Sequence, residues 1–127
     1  MNSRAQISAE FFILLGLVFL IAIAFELASV DQLKDFTIKK ESEAVRDLAL
    51  KLQKELFVAA AVEDGYVRSF TIPDTLERVN YTVTTINSTI TIESANSLYI
   101  VSIPNAVGNV SKGANTINKT GGVIYIN

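Results

Sequence analysis

Few residues in this chain are equipped for chemistry. The sequence holds neither histidine nor cysteine. Catalytic triads built on those residues, disulfides and zinc–thiolate sites are therefore excluded. No glycine-rich phosphate loop is present. The carboxylates come closest to a site. Asp74 and Glu77 stand three apart, a spacing for an acid and a base. Their sparse surroundings read better as a solvated turn. Asp31 and Asp35 lie one helical turn apart and could touch a cation, but a polar helix surface accounts for them more simply. No metal or cofactor is expected, and the chain does not read as an enzyme. Its formal net charge of −2 gives no basic surface for nucleic acid.

Two other sets of residues carry more information. Four asparagines stand in Asn-x-Ser/Thr triplets: Asn80, Asn87, Asn109 and Asn118. These are possible N-glycosylation sites, which would place the second half of the chain on an exterior surface. The other set lies at the start. Ala5 precedes Gln6, Ser8 and Glu10, and then Phe11 to Phe25 runs without a charge. A carboxylate at the edge of an apolar helix is costly unless it reaches water or meets a positive partner.

The spacing Gln6-x-Ser8-x-Glu10-x-x-x-Leu14 resembles the class III, prepilin-type signal of archaeal type IV pilin-like proteins. The resemblance covers about a tenth of the chain. It implies a leader, residues 1–5, removed between Ala5 and Gln6 by a prepilin peptidase in the membrane. It also implies that Glu10, fifth after the cut, pairs with the new amino terminus at Gln6 of a neighbouring copy. The expected assembly residues are Gln6, Glu10, Phe11, Phe12, Leu15, Gly16 and Phe19. The expected partners are further copies of the chain, the assembly machinery, and the membrane before assembly.

The elements that must position these residues follow from periodicity. Phe11 to Val30 is 20 residues, enough to span about 30 Å of hydrocarbon as a helix. An ordinary cleaved secretory signal needs a small-residue cut site after its apolar centre, and residues 26–31 supply a poor one. Between Ala5 and Asp64 there is no proline and one glycine, Gly16. Gly16 could let two helices approach closely.

From Asp31 to Asp64, 14 of 34 residues are charged. Val45, Leu48, Ala49, Leu52, Leu56, Ala59 and Ala60 recur at intervals of three and four, one face of an amphipathic helix. One continuous helix is expected from about Gln6 to Asp64, the alternative being a break near Asp31-Gln32.

After Gly65 the period becomes two. Strands are expected at residues 66–72, 79–85, 89–93, 98–103 and 123–126, mostly antiparallel. The segment 105–120 reads as a long loop, or carries a weak strand at 107–110. Sixty-two residues of strand domain cannot close a core alone, so one sheet should wrap on the helix stripe.

The fold class expected is α+β, with a long amino-terminal helix followed by a small β-domain packed on it. The divisions are residues 1–5 (leader), 6–30 (membrane and assembly helix), 31–64 (amphipathic continuation) and 65–127 (extracellular β-domain). The function implied is a structural subunit of a surface filament for adhesion or cell–cell contact, made at the membrane and then extracellular. The alternative is a membrane-anchored surface binding module that never polymerises, or a minor pilin.

Overall fold

The computed structural model describes the backbone from Ser3 to Asn127 and side chains from Ala9 onward. The chain is α+β. Helix α1 runs unbroken over Ser3–Ala61, 59 residues. The absence of proline permits this length, and no break occurs at Asp31-Gln32. Contacts divide the chain into two compact units, Met1–Thr37 and Ile38–Asn127.

The second unit is an ordinary packed domain. The expected stripe is its spine: Val45, Leu48, Ala49, Leu52, Leu56 and Ala59 are all buried. Each recurs every three or four residues, so one helix face is continuously covered. Seven strands follow: β1 Val67–Ile72, β2 Tyr81–Ile86, β3 Thr89–Ser94, β4 Leu98–Ser102, β5 Ala106–Val107, β6 Gly113–Thr120 and β7 Val123–Ile126.

Two expectations are corrected here. The strands form two sheets rather than one: four strands in the order β1-β6-β7-β5, and three in the order β2-β3-β4. All pairs are antiparallel except β5 with β7. Each sheet turns its apolar residues inward, Ile72, Ile117, Ile124 and Ile126 from one and Tyr81, Ile90, Ile92 and Val101 from the other. They join the helix stripe in a single core. The second correction is β6. Residues 113–120, read as loop, form the longest strand and the one that joins β1 to β7. The weak strand expected at 107–110 is only the two residues of β5.

β6 was hidden because two of its inward positions are polar. Asn115 is buried, but its amide is fully used. Its Oδ1 accepts from the Ser111 N–H at 2.9 Å, and its Nδ2 donates to the carbonyls of Ser111 and Gly113 at 2.7 and 3.0 Å. Lys119 reaches the end of α1, where Nζ donates to the carbonyls of Ala60 at 2.7 Å and Val62 at 2.6 Å. The last helical carbonyls have no partner within the helix, and a cation there also meets the negative end of the helix dipole. The helix thus ends at Ala61, three residues before the expected Asp64. Gly65, at φ 93°, then turns the chain and donates to the Lys119 carbonyl at 2.8 Å.

Candidate functional site

Ala5, Gln6 and Ser8 lie within the helical backbone for which no side chains are described. From Ala9 to Lys40 the side chains of α1 are exposed, Ser29 alone being half-covered. Such exposure is normal for Lys or Glu. Here it falls on Phe11, Phe12, Leu14, Phe19 and Phe25, at 61%, 66%, 61%, 61% and 74%. The best 18-residue window of this helix has a mean hydropathy of 2.7 and none of it is buried. By length and composition it can cross a membrane.

The assembly residues do not share one face. At about 100° per residue, Glu10 and Leu14 lie on one side of the helix, while Phe12, Leu15, Gly16 and Phe19 lie on the other. The apolar surface therefore runs all the way round. A helix of that kind is stable only when surrounded, by lipid or by other protein. A Cβ built on Gly16 meets nothing within 4 Å, so no packing contact within the chain requires a glycine there. Ser29 and Thr37 return their hydroxyls to the Phe25 and Leu33 carbonyls at 2.8 and 2.9 Å, which spares them a partner outside the helix.

Among the described residues no three acidic side chains gather as a metal site would need. Asp74 and Glu77 are held in different ways. Glu77 pairs with Lys40 at 2.8 Å across an exposed surface, worth about 0–1 kcal/mol. Its turn is tight: Leu76 and Val79 exchange both backbone hydrogen bonds, and Glu77 and Arg78 take φ of 48° and 68°. Asp74 lies near Tyr81, whose hydroxyl donates to the Pro73 carbonyl. Burial, then the Asp74 charge, pushes the Tyr81 phenol up from its usual value. The Lys112 ammonium covers the Tyr81 ring at 4.4 Å from its centroid.

All four triplet asparagines, Asn80, Asn87, Asn109 and Asn118, are exposed. Asn80 stands just before β2. Asn87 occupies the β2–β3 turn at φ 53°, Asn109 follows β5, and Asn118 lies within β6.

One residue that matters was missed by the sequence reading. Glu41 is buried, 2% exposed, one turn before Val45 on the stripe. Its Oε2 accepts from Asn96 Nδ2 at 3.0 Å, and its Oε1 from the Asn96 backbone N–H at 3.3 Å. The Asn96 side chain first, then Ser94, hold the Glu41 carboxyl below its usual value near 4.5, against the opposing effect of burial. The signal was available: position 41 continues the register 45, 48, 52, 56 back by one turn, so a charge there faces the core.

Comparison of the chain with protein-family models, with curated proteins and with solved structures finds no match.

Proposed function

We propose that this chain is a structural subunit of a type IV pilus-like surface filament, polymerising through its apolar amino-terminal helix. The observation that carries the reading is the contrast within α1. Its second half is covered by a packed β-domain, while Phe11 to Phe25 is bare on every side. Full burial of each such Phe, Leu or Ile is worth roughly 1.5–3 kcal/mol against water. The segment therefore stays in lipid or among other helices. A pool of subunits held in the membrane, then packed helix to helix in a filament core, satisfies it at both stages.

The prepilin-type signal gives the order of events. A peptidase removes residues 1–5, and the new amine of Gln6 becomes available to the Glu10 carboxylate of a neighbour. Inside an apolar core an ion pair tolerates poorly the loss of one member. Glu10 would thus favour one axial offset between copies, about four residues or about 6 Å along the helix. The β-domain, carrying four exposed glycosylation triplets, would form the outer sheath. Adhesion or cell–cell contact is the role that suits such a sheath.

Mass spectrometry of filaments sheared from cells tests this. The expected result is a subunit beginning at Gln6. A chain found only in the membrane fraction, with no filament in the electron microscope, would favour the non-polymerising surface module instead.

A further inference from the structure

The outer face of the four-stranded sheet is less polar than its neighbours in sequence suggest. The registers of β1 with β6, β6 with β7 and β5 with β7 place Val67, Asn118, Tyr125 and Val107 in one row across the sheet. Val67 is 62% exposed, Val107 55% and Tyr125 43%. Neighbouring strands lie about 4.8 Å apart, so Asn118 stands directly between a bare valine and a bare tyrosine. An open groove of about 410 Å³ borders Asn118, Tyr125 and Val107. Thr120, the last residue of the triplet, is on the same face and donates to Asn118 Oδ1 at 3.3 Å. Lys119 between them points to the opposite side, toward the end of α1.

We infer that Asn118 carries an N-linked glycan whose first sugars lie in this groove against Tyr125 and cover the apolar row. The occupant is fixed by the tether: a sugar attached to Asn118 Nδ2 starts within one strand spacing of the Tyr125 ring. Pyranose rings present axial C–H bonds on one face and hydroxyls at the rim. They therefore suit an aromatic face bordered by Thr116 and Asn127, both of which line the same groove. Two other triplets lack this platform. The tyrosine beside Asn80 is buried and engaged with Pro73 and Lys112, and Asn87 sits at a turn among serine and threonine.

The transfer is chemically complete with a glycan linked to a polyprenyl phosphate or pyrophosphate as donor. Asn118 Nδ2 attacks the anomeric carbon, a C–N bond forms, and the C–O bond to the phosphate breaks. The lipid phosphate leaves with the bonding pair, and one amide proton passes to a base of the transferase. The Asn118 and Thr120 side chains both stand exposed on the outer face.

The inference rests on the exterior location proposed above but not on polymerisation. Its test uses full-length chain, extracted in detergent from its own cells, with glycopeptide mapping and nitration of tyrosine followed by mass spectrometry. Glycan mass is expected on the Asn118 peptide. Nitration of Tyr125 is expected to be several-fold faster in Thr120→Ala and in Asn118→Gln than in wild type, with buried Tyr81 unchanged. Unmodified Asn118 overturns the inference, as does a modified Asn118 with equal Tyr125 nitration in all three. A shielded Tyr125 in a chain that never polymerises would leave this inference standing and remove the filament reading. Bare Asn118 in assembled filaments would do the reverse.

Discussion

Glu10 and Glu41 are both carboxylates on one helix, but Glu10 is exposed and Glu41 is buried. Under the proposed function the role of Glu10 lies between molecules. Glu10→Gln keeps shape and removes charge. It is expected to leave expression and β-domain folding unchanged while filament abundance on cells falls steeply, as counted by electron microscopy. Wild-type abundance with Gln at this position would reject charge pairing. Glu41 works within the molecule. Its carboxyl is held below the usual 4.5 in the folded chain by Asn96. A depressed folded value means stability that is full above about 4.5 and is lost as pH falls through the folded value. The β-domain melting temperature in detergent should therefore drop below pH 4.5, and Asn96→Ala should flatten that dependence. An identical acid limb in both proteins would show that other carboxylates govern it.

At the scale of elements, periodicity carried most of the fold. Intervals of three and four gave α1 its buried face, and alternation gave β1, β2, β3, β4 and β7 nearly in place. Leu52, 1% exposed at the centre of the stripe, tests that face: Leu52→Ala should destabilise the β-domain by roughly 2–5 kcal/mol in urea unfolding. What remained illegible was β6, whose inward Asn115 and Lys119 find their partners in a loop and a helix end that no local pattern announces. The split into two sheets was equally hidden, because it depends on β6 pairing with β1 some 47 residues earlier. Gly108 marks the parallel pairing of β5 with β7. It adopts φ 108°, and a Cβ there would run into the Ile126 backbone carbonyl. Gly108→Ala should cost more than about 1 kcal/mol and expose the amides of β5 and β7 to hydrogen exchange. Unchanged exchange at those amides would show that the close approach is dispensable.

At the scale of the whole molecule, the chain joins one exposed apolar helix segment to a packed domain with its own core. The apolar run from Phe11 to Phe25 was legible in the sequence, since an all-round apolar helix needs no tertiary partner to define it. What the sequence left open was how α1 continues, and the unbroken helix through residue 61 answers that. The most direct measurement is a cryo-electron microscopy reconstruction of the native filament at a resolution that traces side chains. The account predicts residues 11–30 of many copies packed at the axis, Glu10 of one copy beside the Gln6 amine of the next, and the β-domains outermost. A filament with β-domains at its axis, or with residues 11–30 facing solvent, would contradict it.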